Sequence, residues 1–215
     1  GAQVAVKKLF AVQNMDDKEY QSLMHEVTLL GSLSHPNIMR FLAMCLDPPC
    51  IVMQYYPHGS LFDLLHKAHK GNPKAAKELT WSKRLDMLRD VASGMQYLHS
   101  RKPPVIHGDL RSPNLLLDLT IDRERPRFHV KIADFGLARL ATGATGSVMV
   151  SKMTNPRWLA PEVRGGGMGR RGRVYSFSII MWEMLTWRQP YQDMMSVQVM
   201  FSTVTENSRP EVPPD

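Results

Sequence analysis

Asp109 and Asn114 stand five residues apart in His107-Gly108-Asp109-Leu110-Arg111-Ser112-Pro113-Asn114, and Asp134 follows in Asp134-Phe135-Gly136. Carboxylate and amide oxygens of this kind suit a hard divalent cation, and a carboxylate beside a hydroxyl can take its proton. Upstream, Lys7 closes Val4-Ala5-Val6-Lys7, with Glu26 nineteen positions later, and downstream comes Ala160-Pro161-Glu162. A Lys and a Glu at that spacing are by themselves ordinary surface charges, and a lone Asp-Phe-Gly is a common tripeptide. The information lies in the order: Asp134 falls twenty-five residues after Asp109 and twenty-six before Ala160.

This ordered set resembles the catalytic domain of protein kinases. The resemblance implies an ATP-dependent enzyme acting on protein substrates with Mg2+, and each motif then takes a role. Lys7 resembles the residue that contacts the α- and β-phosphates, and Glu26 the helix carboxylate that orients it. Asp109 resembles the carboxylate that accepts or orients the substrate hydroxyl proton, while Asn114 and Asp134 resemble the magnesium ligands. Ala5 and Leu116 would sandwich the adenine, Met53 would close the back of its pocket, and backbone groups of Gln54 and Tyr56 would supply its hydrogen bonds. His107 and Phe135 read as packing supports.

The catalytic-loop motif and Asn155-Pro156-Arg157-Trp158-Leu159-Ala160-Pro161-Glu162 look like the tyrosine-kinase-like group, whose members mostly phosphorylate Ser or Thr. Arg111 stands where Ser/Thr kinases usually carry Lys, so the cation is kept and its compact shape lost. Gly108 replaces the usual Arg, which argues against regulation by a phosphate on the segment after Asp134. Asn155 falls where Thr is usual, Arg173 where an Asp normally anchors the catalytic loop, and the usual Arg partner of Glu162 would lie beyond residue 215. Gly108, Arg173 and the lack of a glycine-rich loop before Val4 keep a different function in view, a pseudokinase-like binding or scaffold module with weak or no phosphoryl transfer. Only Gly1-Ala2-Gln3 precede Val4, where the family carries a glycine-rich loop, and residues 208–215 resemble the loop leading into its last helices. The expectation is a piece of a longer chain, cut at both ends of the domain.

Composition sets outer limits. A chain of 215 residues with 43% apolar content can bury a substantial core. Cys45 and Cys50 fit neither a disulfide framework nor a zinc site, which favours a reducing, cytoplasmic setting. No run approaches the roughly 20 apolar residues of a membrane span; Ile179-Ile180-Met181-Trp182 is followed at once by Glu183. The net charge of +7 sits largely in residues 123–127 and 164–173, without the aromatic-interleaved stripe of nucleic-acid binders, so no nucleic-acid partner is expected.

The elements that must position these groups follow from periodicity. Residues 3–10 alternate as a strand, and residues 16–33 show helical spacing through Tyr20, Leu23, Val27 and Leu30. Residues 38–45 and 50–55 read as paired strands joined through Asp47-Pro48-Pro49. A helix capped by Ser60 covers residues 61–66, residues 67–77 read as a solvated basic loop, and a long helix begins at Thr80-Trp81-Ser82 and runs through Leu85, Leu88, Val91, Met95 and Leu98. Residues 118–127 read as an exposed insertion, residues 141–151 as a small, flexible activation segment, and residues 175–185 as a buried helix. The expected architecture is α+β and two-lobed, with an incomplete β-rich small lobe over residues 1–56 and an incomplete, mainly helical large lobe over residues 57–215.

Overall fold

The computed structural model describes residues 1–8, 17–122, 125–136, 138–140, 155–162 and 170–213. The segments expected to form the activation segment and the glycine-rich run before Arg173 lie outside the described residues. What is described is the two-lobed α+β fold, a small antiparallel sheet with one helix beside a mainly helical body.

Strand β1, Val4–Lys8, pairs antiparallel with β3, Pro49–Gln54, and β2, Phe41–Leu46, lies on the other side of β3. Register sets Ala5 opposite Met53 and Lys7 opposite Ile51. Opposed residues in an antiparallel pair share a face, so Ala5, Lys7, Ile51 and Met53 all look one way. Val4 and Val6 look the other way and are exposed. The alternation read from the sequence is therefore real, but it separates the site face from solvent rather than core from solvent. Helix α1, Asp17–Ser32, keeps the expected bounds to within a residue. Among its described side chains Leu29 and Leu30 are buried, and Tyr20 is exposed rather than on the packed face.

The sheet joins the helical body through Asn37. Its side-chain amide donates to the Val130 carbonyl at 3.1 Å, its own carbonyl accepts from Ile132 N–H at 2.9 Å, and Met39 N–H donates to the Ile132 carbonyl at 2.8 Å. Three bonds within three residues fix this crossing, which leads directly to Ala133 and Asp134.

Helix α2, Leu61–His69, starts at a reciprocal capping box in which the Ser60 hydroxyl accepts from Asp63 N–H and the Asp63 carboxylate accepts from Ser60 N–H. It runs three residues further than its apolar spacing suggested. The rest of the expected basic loop contains α3, Pro73–Lys77, capped by the Asn72 side chain with proline in the first turn. Asn then Pro is a helix-start signal that a polar composition conceals. Helix α4, Trp81–Ser100, buries Met87, Val91, Gly94, Met95 and Leu98, while Leu85 and Leu88 are only partly covered. A fully buried apolar side chain of this size contributes about 1.5–3 kcal/mol.

After the two-residue strand β4, Val105–Ile106, come β5, Leu115–Asp122, and β6, Arg125–Ile132, paired without a break from Leu115↔Ile132 to Asp122↔Arg125. The stretch expected as an exposed insertion is thus the outer half of one long hairpin. Asp90 on α4 accounts for this: it is buried, pairs with the Arg127 guanidinium at 2.8 Å and accepts from Val130 N–H at 3.0 Å. Strand β7, Arg139–Leu140, pairs with β4. Helices α5, Arg170–Thr186, and α6, Ser196–Thr205, close the body. Ile179, Ile180 and Met184 are buried, and Met181 and Leu185 on the opposite face are exposed. No helix among the described residues is long and apolar enough to cross a membrane.

Gly94 sits where the packing leaves no room for a side chain. A Cβ there would lie 2.7 Å from Ile132 Cδ1 and 3.0 Å from the Asn37 carbonyl oxygen, a backbone atom that cannot step aside. Helix propensity alone would reward Gly94→Ala by up to about 1 kcal/mol. Overpacking against a fixed backbone costs typically 1–3 kcal/mol, so the substitution should lower the urea unfolding midpoint; an unchanged or raised midpoint would show that the helix moves away freely.

Candidate active site

The loop after β4 is built around His107, which is buried and has both ring nitrogens engaged. Nε2 faces the Ala133 carbonyl at 3.0 Å, and Nδ1 accepts from Asp109 N–H at 3.3 Å. A carbonyl can only accept and a backbone N–H only donate, so the imidazole is neutral with its proton on Nε2. Burial agrees with this, pulling its pKa below the ordinary 6.5 against the Ala133 hydrogen bond and the Asp109 and Asp134 carboxylates, which raise it. Phe135 packs edge-on to the ring, centroids 4.9 Å apart. Both residues are the packing supports their sequence context suggested.

Between His107 and Asp109 the chain passes Gly108 with φ +86°. In this left-handed region a side chain costs roughly 1–2 kcal/mol. Glycine at this place, read from the sequence as a lost regulatory cation, also removes a backbone strain.

Asp109 itself is held on one oxygen. Arg111 Nε and Asn114 Nδ2 both donate to Oδ2 at 2.9 Å, and Asn114 Nδ2 also donates to the Asp109 carbonyl at 2.9 Å. Oδ1 receives neither of these bonds. The Asn114 amide nitrogen is turned to Asp109, so its Oδ1 is the atom that remains for a cation. The Asn114 carbonyl accepts from Ala133 N–H at 2.9 Å, which ties this turn to the segment bearing Asp134. Asp134 has φ +63°, and its Oδ1 lies 3.5 Å from Lys7 Nζ. The two side chains are 46% and 45% exposed, so this contact joins sheet and body while open to solvent.

The remaining predicted residues fall on β1, β3, α1 and the segments after β3 and at the start of β5. Ala5 faces Met53 across β1 and β3. Leu116, half-buried, enters through a backbone bridge to Ser60. The Gln54 N–H is already donated to the Arg40 carbonyl at 3.0 Å, and the Tyr56 carbonyl accepts from Gly59 at 3.4 Å. The Tyr56 ring is buried and its hydroxyl contacts Gln54 Oε1 and Arg40 N–H. Glu26 lies on α1, with its side chain outside the described residues, as is that of Arg173.

One anchor escaped the sequence reading. Glu183 of α5, 1% exposed, accepts from the Ser112 hydroxyl at 2.6 Å and from the Trp158 indole N–H at 2.8 Å. The Ser176 hydroxyl donates to the Trp158 carbonyl at 2.7 Å. Helix α5 therefore holds both the Ser112–Asn114 turn and the Pro156–Trp158 turn through one carboxyl. Burial pushes that group up to about 8, against the two hydrogen bonds that favour its ionised form. The signal was available: Glu183 is the lone charge in the run from Ile179 to Leu185.

A hard cation with most of its shell from phosphate and water needs only one or two protein oxygens. Asp134 and Asn114 fit that requirement, although no cluster of three or more His, Cys, Asp or Glu occurs among the described residues. Fold and site together are those of a protein kinase catalytic domain. The chain belongs to the protein tyrosine and serine/threonine kinase family, which it matches over residues 1–215. It is 40% identical over 216 residues to the probable serine/threonine-protein kinase drkA of Dictyostelium discoideum, covering 99% of this chain and 31% of that protein. It is 39% identical to the serine/threonine-protein kinase CTR1 of Arabidopsis thaliana, covering 99% and 25%, and 35% identical to the probable serine/threonine-protein kinase pats1 of Dictyostelium discoideum, covering 100% and 7%. The chain thus spans under a third of the length of these relatives, and their names accord with the Ser/Thr reading. The family uses ATP and a divalent metal and acts on proteins.

Two measurements check the anchors. Glu183 is protonated in the fold at pH values where the unfolded chain, with an ordinary value of 4.5, has lost that proton. Its contribution to stability therefore falls as pH rises from about 5 to 8, and Glu183→Gln should remove that slope. Unfolding midpoints of both forms at pH 5 and pH 8 test this, the difference between forms cancelling other titrations; a constant difference would mean an ionised Glu183. Gly108→Ala should cost about 1–2 kcal/mol in the same assay, and no loss would place the loop backbone elsewhere.

Proposed function

We propose that this domain transfers the γ-phosphoryl group of ATP to Ser or Thr hydroxyls of protein substrates, and that the observation carrying this reading is the constrained Asp109 carboxylate beside the Lys7–Asp134 pair. With Oδ2 fixed by Arg111 and Asn114, Oδ1 faces the substrate hydroxyl and takes its proton. The hydroxyl oxygen forms its bond to the γ-phosphorus as the bond to the β,γ-bridging oxygen breaks and ADP departs. Arg111 adds a guanidinium beside the moving phosphoryl, and Lys7 a compact ammonium at the α- and β-phosphates, oriented by Glu26.

Asp134 and Asn114 Oδ1 would hold Mg2+, which when bound neutralises charge on the β- and γ-phosphates. Ala5 and Leu116 flank the adenine, Met53 closes the pocket behind it, and the backbone of Gln54 and Tyr56 meets its edge. For Gln54 the carbonyl takes this part, because its N–H is committed to Arg40. In this reading residues 1–56 supply the nucleotide-covering lobe and residues 57–215 the catalytic and substrate-binding lobe.

Lys7→Met, Asp109→Asn and Asp134→Asn should each reduce phosphoryl transfer by a hundredfold or more, since removing one preorganised electrostatic contact costs roughly 3 kcal/mol. Incorporation of labelled γ-phosphate into a Ser-containing protein, with magnesium present, measures it. Wild-type turnover in Asp134→Asn would overturn the metal assignment. Nucleotide binding without turnover in the unmodified protein would instead favour the scaffold.

A further inference from the structure

Residues 66–77 contain four lysines, two histidines and no acidic residue. The fold bends this stretch back on itself. Asn72 N–H donates to the Lys67 carbonyl at 3.0 Å, Gly71 N–H to the Ala68 carbonyl at 2.9 Å, and the Asn72 side chain caps α3 through Ala75 N–H at 3.0 Å. Ala68 and Ala75 point inward and are buried, while His66, Lys67, His69, Lys70, Lys74 and Lys77 are all exposed.

The neighbouring acids offset little of this charge: Asp63 interacts electrostatically with Lys67 and His66 without an ion pair to either. Asp63 is turned to Ser60, at 2.9 Å from its N–H and 2.7 Å from its hydroxyl, and Glu78 is paired with Lys83 at 2.7 Å. Among the described residues none of the four lysines makes an ion pair. Cations in the last turn of α2 complement its carbonyl end, which accounts for Lys67 and the histidines. It does not account for Lys70 beyond the helix, or for Lys74 and Lys77 on a five-residue helix with little dipole of its own.

The location ties this surface to the site. Helix α2 packs against the Ser112–Asn114 turn, and its cap Ser60 bridges to Leu116. Nine residues of helix span about 13 Å, so Lys67 and Lys70, at the end of α2 away from Ser60, lie about that far from the Ser60–Leu116 bridge, and α3 with Lys74 and Lys77 follows directly. An extended peptide covers that distance in about four or five residues.

We propose that Lys67, Lys70, Lys74 and Lys77 form a docking surface for an acidic segment of the protein substrate, set at least four residues from the phosphorylated hydroxyl. This rests on the phosphoryl-transfer reading for its purpose, and its binding is separable from catalysis. A membrane surface fits less well, because no large apolar side chain from residue 61 to 79 is exposed for insertion. Nucleic acid fits less well because exposed aromatic rings do not alternate with the lysines.

The test measures binding of a fluorescent hexaglutamate peptide by anisotropy, to the unmodified protein and to a variant carrying Lys67→Gln, Lys70→Gln, Lys74→Gln and Lys77→Gln, each with its melting curve. The expected result is salt-sensitive binding that the variant weakens about tenfold. Should the fourfold variant fail to melt cooperatively, Lys70→Gln with Lys74→Gln serves in its place. Asp134→Asn, defective in transfer, should bind hexaglutamate as the unmodified protein does. A Ser peptide bearing a distant acidic tract should show a KM raised about tenfold in the lysine variant with kcat unchanged. Equal hexaglutamate binding by variant and unmodified protein overturns the proposal. So does preferential, lysine-dependent binding of phosphatidylserine vesicles or of a single-stranded oligonucleotide. If transfer is absent altogether while hexaglutamate binding remains lysine-dependent, the catalytic reading fails and the acidic docking surface stands.

Discussion

The His107 imidazole fixes the distance between the loop that carries Asp109 and the segment that carries Asp134. One nitrogen holds the Asp109 amide and the other the Ala133 carbonyl, so the ring works as a rigid spacer with a defined tautomer. Its rigidity depends on burial, because a protonated ring would have to donate on both sides and would repel the Asp109 N–H. The Asn114 carbonyl repeats the tie from the other side by accepting from Ala133 N–H. Ala133 is thus bonded through both its backbone groups to the catalytic loop, and the next residue is delivered toward Lys7.

Around that spacer the body is locked by two buried carboxyl groups from different helices. Asp90 fastens the β5–β6 hairpin to α4, and Glu183 fastens two turns to α5. Each gathers partners far apart in sequence, Ser112 lying 71 residues from Glu183. Buried polar groups left unpaired cost about 1–3 kcal/mol each, so these contacts specify how the elements fit even where their net contribution is small. Arg84 adds a direct bond from α4 to α5 by donating to the Met184 carbonyl at 2.8 Å.

Local signals carried much of this. The strands of the small sheet, the cap at Ser60 and the apolar spacing of α4 follow from period and cap alone. The grouping of Asp109, Arg111 and Asn114 is local too, since all three sit on one tight loop, whereas the approach of Lys7 to Asp134 was legible only through the resemblance. What stayed hidden depended on distant partners or backbone shape. The outer half of the β5–β6 hairpin looked like a loop because Asp90, which organises it, lies 37 residues before Arg127. Helix α3 is hidden in a polar stretch, where its Asn72-Pro73 start is the sole local signal. Gly108 was read for the side chain it lacks, and its positive φ is invisible without coordinates.

The ion pair between Lys7 and Asp134 changes what nucleotide binding means thermodynamically. In the structure each charge already has a counter-ion. On the proposed roles, binding of a metal–nucleotide complex would be an exchange, in which the ammonium trades a carboxylate for phosphate and the carboxylate trades an ammonium for metal. Only the difference between old and new pairings contributes to affinity. The exposure of both partners keeps the old pairing weak, so little would be lost in breaking it.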